Sequence, residues 1–282
     1  MTLEFRLMVG YDVYRSYSAV RDSALAAQDA GFTAIFRGDH LLSVDGEHDH
    51  SVTEAWACLA GLARDTTTIR FGTLVSPATF RHPALLARTV ATVDEMSGGR
   101  VEVGLGAGWY EPEHETLGIA LPPWPERFDH LEEQLAIVRG LFTEETFSFE
   151  GEHYHLAGAQ LGRGFIQRPN PPIVVGGNGK PRTLRLAATY ADELNLDQIL
   201  DPADIVTAYT GLAAALEVVG RPSSAVVRSN VIGWPGLDIE ANQARFAAYE
   251  AAGVQRLYVK RPADLDLSAL AKFSRHFIAA SG

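Results

Sequence analysis

Short apolar runs alternate with longer stretches of helical periodicity from one end of the chain to the other. "FRLMVG" (residues 5–10) predicts a first strand, and "SAVRDSALAAQDAG" (18–31) predicts a helix stopped by Gly31. "FTAIFR" (32–37) is a second strand, followed by the helical "TEAWACLAGLARDT" (53–66) with Thr53 as its expected N-cap. "TIRFGTLV" (68–75) and "VEVGLGAG" (101–108) read as strands three and four. Between them lies a helix that opens at Pro83 and closes on glycines, the usual asymmetry of helix ends. "ERFDHLEEQLAIVRGLF" (126–142) is a fourth helix, and the irregular stretch after it, with aromatic and glycine spacing, suggests a hairpin insertion around 143–171. "PIVVGG" (172–177), "ADELNLD" (191–197), "AVVRSNVIGW" (225–234) and "VQRLYVK" (254–260) supply four more strands. Helices fit at 180–189, 202–218, 238–252 and 265–279.

Eight strand–helix units favour an α/β fold of the (β/α)8 TIM-barrel type over an open doubly wound sheet. No linker or composition break divides residues 1–282, which are expected to form one barrel with one insertion. In such a barrel the chemistry belongs at the carboxyl ends of the strands. The candidates are then Gly10 and Tyr11, Asp39 and His40, Thr73 to Ser76, Ala107 to Tyr110, Gly176 to Gly179, Asn195 to Asp197, and Asn230 to Trp234.

Composition narrows the picture further. With 24 basic and 35 acidic residues the formal charge is −11, which argues against a general nucleic-acid or anionic-membrane surface. The lone Cys58 excludes an internal disulfide and a Cys-rich zinc site, and its helical setting reads as core. The start of the chain lacks a basic segment followed by a long apolar one, and no run of eighteen apolar residues occurs, so a cytoplasmic protein is expected.

"GDHLL" (38–42) ends the second strand on an acid beside an imidazole. Alone, such a pair reads as a turn cap and an incidental histidine; at a barrel mouth it reads as chemistry. "GGNGKPRT" (176–183) follows a strand and opens a helix. Its glycines permit close backbone approach, and helix-start N–H groups with Lys180, Arg182 and Thr183 suit a phosphate. It is not a P-loop, because the spacing and the terminal Lys-Ser/Thr pair are absent, and "GLGAGW" (104–109) is no dinucleotide fingerprint, since it lacks first-strand context. "GTLVSPATFRHP" (72–83) reads either as a connecting loop or as a backbone bulge behind a flat cofactor, with Arg81 and His82 as nearby donors. "EHDH" (47–50) and "EHYH" (152–155) each pair two histidines, but neither has a third ligand at recognisable spacing, so no metal is expected. No G-x-S-x-G occurs, and Ser76 and Ser97 lack support as nucleophiles. Asp39, Glu111 and Glu113 are the carboxylates placed to face the site, though nothing in their spacing pairs them as in a glycosidase.

"GDHLL", the segment from "EAWACLAGLARD" through "GLGAGWYEPEH", and "PPIVVGGNGKPRTLRLAATYAD" together resemble the luciferase-like monooxygenase superfamily of flavin and deazaflavin oxidoreductases. The likeness covers nearly the whole chain. "LVSPATFRHPALLAR" followed by "GLGAGWYEPEH" is most similar to members that use coenzyme F420, while other members use FMN and oxygen. The resemblance implies a (β/α)8 barrel with the cofactor across the strand ends, and commonly a homodimer. It places Asp39 near the cofactor ring and His40 near the hydride-transfer atom, so both are candidate catalytic and cofactor-binding residues. Thr73, Leu74 and Val75 fall at a bulge behind the ring, where the family often has a non-proline cis peptide between the positions of Leu74 and Val75. Ala107 and Gly108 edge the ring, and Gly176, Gly177, Asn178 and Gly179 match the phosphate-tail segment. Tyr11, Trp109 and His114 are candidates for the substrate pocket. One departure matters: F420-dependent sugar-phosphate dehydrogenases carry a glutamate where this chain has Trp109, so a less polar substrate is expected.

These readings converge on an F420-dependent oxidoreductase in which His40 relays a proton and Asp39 orients it or the cofactor. Hydride exchange with a small organic substrate, in particular reduction of an activated C=C or C=N bond, is the expected reaction. The rivals are an FMN-dependent monooxygenase using molecular oxygen and a cofactor-free binding or structural barrel.

Overall fold

The computed structural model describes residues 3–44, 52–162 and 164–278. Eleven strands are present among them: β1 (Glu4–Val9), β2 (Ala34–Arg37), β3 (Arg70–Thr73), β4 (Ser76–Pro77), β5 (Val101–Gly106), β6 (Phe147–Glu150), β7 (His155–Ala159), β8 (Ile173–Gly177), β9 (Glu193–Leu196), β10 (Val227–Gly233) and β11 (Arg256–Arg261). The helices are α1 (Tyr17–Asp29), α2 (Ala55–Asp65), α3 (Pro83–Ser97), α4 (Glu111–Leu117), α5 (Trp124–Thr143), α6 (Pro181–Tyr190), α7 (Pro202–Val218), α8 (Ile239–Ala251) and α9 (Ser268–Phe277).

Eight of the strands run parallel and close on themselves in the order β1-β2-β3-β5-β8-β9-β10-β11, with β11 paired back to β1 and β3 paired to β5. This is the (β/α)8 barrel the alternating pattern predicts, and β4 is a two-residue extension lying beside β5. The antiparallel hairpin of β6 and β7 falls within the stretch read as an insertion. Three elements have no counterpart in the sequence reading: 3-10 turns at Tyr11–Arg15 and Ser223–Ala225, and the short helix α4.

Strand alternation divides the apolar residues into two shells. Phe5, Leu7 and Val9 face outward into the helix layer, with Leu59, Val90, Leu135 and Phe273 among their company in one core cluster. Each fully buried Leu or Val in this shell stabilises by about 1.5–3 kcal/mol. Met8, Phe36, Leu74, Val174, Val231 and Tyr258 point into the barrel and form a second, smaller cluster. Thr53 is not the cap of α2. Glu54 takes that place by accepting the Ala57 N–H at 2.6 Å, while Thr53 receives Arg37 Nη1 at 2.8 Å and donates to the Tyr14 carbonyl.

Below the apolar layer lies a buried ionic floor. Arg6 donates to Glu102 at 2.7 Å and to the Tyr258 hydroxyl at 3.1 Å, and Tyr258 in turn donates to Glu193 at 2.8 Å. Arg70 closes on Glu102, and Arg256 bridges Glu193 at 2.5 Å and Glu4 at 2.8 Å. Burial, followed by the Glu193 charge, pushes Tyr258 well above its usual range, so it serves as an O–H donor. Every charge in this layer has an opposite partner, the condition under which ions are tolerated inside a protein.

Candidate functional site

At the other end of the barrel the strand termini surround a cavity of about 950 Å³. Of the predicted residues, Tyr11, Asp39, His40, Leu74, Val75, Ala107, Gly108, Trp109, Gly176, Gly177 and Asn178 line it. The lining also includes Glu113, Trp124, Phe128 and Leu131, which come from α4 and α5.

His40 sits on the loop after β2, inside an aromatic collar. The rings of Tyr11, Trp109 and Tyr110 meet it edge-on at centroid distances of 5.4, 5.7 and 5.9 Å. Its Nδ1 lies 3.1 Å from Glu113 Oε1, and the other Glu113 oxygen accepts the Leu41 N–H at 2.8 Å. The carboxylate that orients His40 is therefore Glu113, not Asp39. Both Glu113 and its helix neighbour His114 are buried, yet only Glu113 reaches the cavity.

Asp39 faces the opposite way. Its carboxylate accepts Ser76 Oγ at 2.6 Å and is held by Arg81 through two contacts, the shorter at 2.5 Å. Trp56 Nε1 donates to the same Ser76 oxygen at 3.1 Å, and Arg81 continues to Glu54. This polar chain runs behind the Leu74–Val75 segment, whose peptide bond is cis. Asp39 is thus a wall residue whose charge is already matched.

Three strand-end glycines make room for Val75. A Cβ on Gly106 would lie 2.5 Å from Val75 Cγ2, and one on Gly176 would lie 2.8 Å from Val75 Cγ1. At Gly104 a Cβ would collide with the Thr73 carbonyl and approach Val75 Cγ1 to 3.0 Å. The glycines of "GLGAG" and "VVGG" therefore shape the wall by admitting one isopropyl group.

Three of the predicted site residues, Thr73, His114 and Gly179, fall outside the cavity. Thr73 is fully buried behind the wall and donates to the Gly104 carbonyl at 3.1 Å. His114 turns toward Thr79: its Nδ1 meets the Tyr110 carbonyl at 2.9 Å, so Nδ1 carries the proton and Nε2 accepts the Thr79 hydroxyl at 2.8 Å. It anchors the start of α4. Gly179 also does not line the cavity; at φ +65° it is the left-handed residue that turns the chain into α6.

The N-terminus of α6 opens toward the cavity, with Lys180, Arg182 and Thr183 on its rim. Arg182 is taken by Asp129 and Glu132, whereas Lys180 is exposed and makes no ion pair with a described residue. Backbone N–H groups at a helix start and one uncompensated ammonium are a donor set for an anion. A Cβ at Gly177 would lie 2.9 Å from Thr183 Cγ2, so the strand must stay bare there. Arg127 stacks on Trp124 at 3.8 Å and donates to the Gly108 carbonyl at 2.9 Å, which pins α5 over the opposite rim.

Of the paired histidines, those at 47–50 lie outside the described residues. In the second pair His155 is exposed, and His153 stacks on His130 of α5 at 3.8 Å.

Comparison with known proteins agrees with this architecture. The profile of the family described as luciferase-like monooxygenase matches residues 2–271. An F420-dependent glucose-6-phosphate dehydrogenase of Amycolatopsis mediterranei is 32% identical over 173 residues, covering 60% of this chain and 50% of that protein. An F420-dependent hydroxymycolic acid dehydrogenase of Mycobacterium tuberculosis is 31% identical over 229 residues, covering 78% of this chain and 60% of that one. The chain thus spans about half the length of the curated relatives it matches. Among solved structures, an F420-dependent secondary alcohol dehydrogenase in complex with an F420-acetone adduct aligns over 100% of both chains, with a TM-score of 0.83 at 20% identity, a likeness of fold.

Proposed function

Because the chain belongs to the luciferase-like monooxygenase family, matched from residue 2 to residue 271, we propose that it is an oxidoreductase using coenzyme F420. The observation that carries the reading is one cavity holding both an imidazole fixed by a carboxylate and a bare glycine strand end running into a helix N-terminus. The relatives named above, whose own names state F420 dependence, support it.

The residues present fit that cofactor. The flat wall of Leu74, Val75, Gly106 and Ala107 suits a planar ring, and Gly176, Gly177, Asn178 and Lys180 with the α6 start suit its anionic tail. When bound, the deazaflavin supplies a two-electron carrier that exchanges a hydride with an organic substrate. The protein's own contribution is positional and protic. Tyr11, Trp109, Trp124 and Phe128 shield the mouth from water, and His40 stands ready to exchange a proton with a substrate at Nε2. Trp109, 53% exposed at the rim, presents an aromatic face rather than a carboxylate and favours a substrate without phosphate. Reduction of an activated C=C or C=N bond is the finer form of the proposal, and a homodimer, which the resemblance implies, and a cytoplasmic location belong with it.

Titration of the purified protein with F420 and with FMN tests the cofactor. Saturable F420 binding with weak FMN binding is expected, and FMN binding alone would replace this reading by the monooxygenase one. His40→Ala, assayed on a panel of secondary alcohols, enones and imines, should lower turnover about 100-fold or more while changing F420 affinity little.

A further inference from the structure

We propose that Glu113 is a positioning residue that locks His40 in a single tautomer, with the proton on Nδ1 and the lone pair on Nε2. The geometry is that of a two-pronged clamp. Glu113 is 1% exposed, and each of its oxygens has one partner: His40 Nδ1 at 3.1 Å and the Leu41 N–H at 2.8 Å. An ionised carboxylate only accepts, so Nδ1 must donate, and the neutral ring then carries its lone pair on Nε2. Nε2 makes no hydrogen bond to a described residue, and His40 lines the cavity.

The clamp is braced on both sides. Tyr110, immediately before α4, donates to the Ser43 carbonyl at 3.1 Å and so ties that helix to the His40 loop a second time. The edge-on rings of Tyr11, Trp109 and Tyr110 leave the imidazole little room to turn over. The tautomer is therefore set before any ligand arrives, the way a buried acid fixes an imidazole elsewhere in enzymology.

The consequence for chemistry rests on the function proposed above. When a substrate O–H or N–H bond breaks at this site, its proton forms a new bond to Nε2, and the resulting imidazolium lies against the Glu113 carboxylate. In the opposite direction the Nε2–H bond breaks and the proton returns to the substrate. Both require Nε2 to be the cavity-facing partner, which the opposite tautomer would deny to the neutral base.

Glu113→Gln inverts the expectation in a specific way. The amide has one acceptor where the carboxylate has two, and the Leu41 N–H can only donate. The Gln oxygen therefore stays with Leu41, the amide NH2 faces Nδ1, and the ring proton moves to Nε2. The test is long-range proton–nitrogen NMR of the whole, cofactor-free protein labelled at histidine, with His40 identified by its loss in His40→Asn. Wild type should show the Nδ1–H form and Glu113→Gln the Nε2–H form. An Nε2–H form at His40 in wild type would overturn the proposal, as would an unchanged tautomer in a folded Glu113→Gln protein. The expected tautomers together with no F420 binding would leave the lock standing and overturn the function instead.

Discussion

Val75 occupies the space that a side chain on Gly106 would need, with only 2.5 Å between Val75 Cγ2 and the position of such a Cβ. Gly106→Ala is therefore expected to drive Val75 toward the cavity and to destabilise the fold by about 1–3 kcal/mol, the usual range for overpacking. Urea unfolding measures the loss, and F420 titration reads the damage to the wall. An unchanged midpoint with unchanged affinity would show that the wall yields freely.

Asp39 and Arg81 make a second pair whose disruption should be costly. Arg81→Leu leaves a carboxylate fully buried with Ser76 as its remaining hydroxyl donor. Breaking a buried pair from one side destabilises by about 3–5 kcal/mol. Adding Asp39→Asn to Arg81→Leu should recover part of that, which a double-mutant cycle of unfolding free energies would detect. Strict additivity would contradict the coupling.

Acid stability should depend on the floor of the barrel. Burial alone would raise the Glu4 carboxyl, but Arg6 and Arg256, with the Thr33 hydroxyl, outweigh it and bring it down to about 2 from an ordinary 4.5. A depressed carboxyl stabilises the fold above its unfolded value, and that stability drains away as the pH falls from about 4.5 to about 2. Glu102 is lowered too, with Arg6 and Arg70 outweighing its burial, so it acts in the same direction. Glu4→Gln should flatten the acid limb of a melting-temperature profile across this window.

The stacked imidazoles of His130 and His153 predict a milder sensitivity of the same sign, nearer neutrality. Burial first, and then His153, hold His130 below its usual 6.5. The folded protein therefore binds fewer protons than the unfolded chain just below pH 6.5, and the contact weakens as the pH drops through that point. Protection factors of the amides in the hairpin of β6 and β7 should fall between pH 7.5 and 5.5 in wild type. His153→Phe keeps a ring on the stack without the second charge, and the pH dependence should shrink.

Much of this was legible in the chain itself. Strand and helix periods placed the barrel, and the barrel rule placed Tyr11, His40, Trp109 and the glycine run at one mouth. The pairing of His40 with Glu113 was not legible, because 73 positions separate the two residues and the link depends on a helix of seven residues. On a helix, adjacent side chains point about 100° apart, so choosing between Glu113 and His114 requires the phase of α4. Its cues were available in "EPEHETLG": acids in the first turn, a proline near the start and a glycine just past the end. Thr73 was misplaced for a related reason. Alternation along β3 turns every second side chain away from the mouth, and the Leu74–Val75 bend resets that count. The ionic floor also had a signature, Arg6 in "FRLMVG", Glu102 in "VEVGLGAG" and Glu193 in "ADELNLD", which gains meaning only once closure brings those strands into one ring.

That floor has a consequence for how this chain can change. Its three guanidinium groups, on Arg6, Arg70 and Arg256, balance three carboxylates, on Glu4, Glu102 and Glu193. With no net charge beneath it, the mouth is governed by its own side chains alone. Residues such as Trp109 or Lys180 can be exchanged to suit another ligand without retuning the foundation, so the molecule behaves as a fixed chassis carrying a replaceable working face.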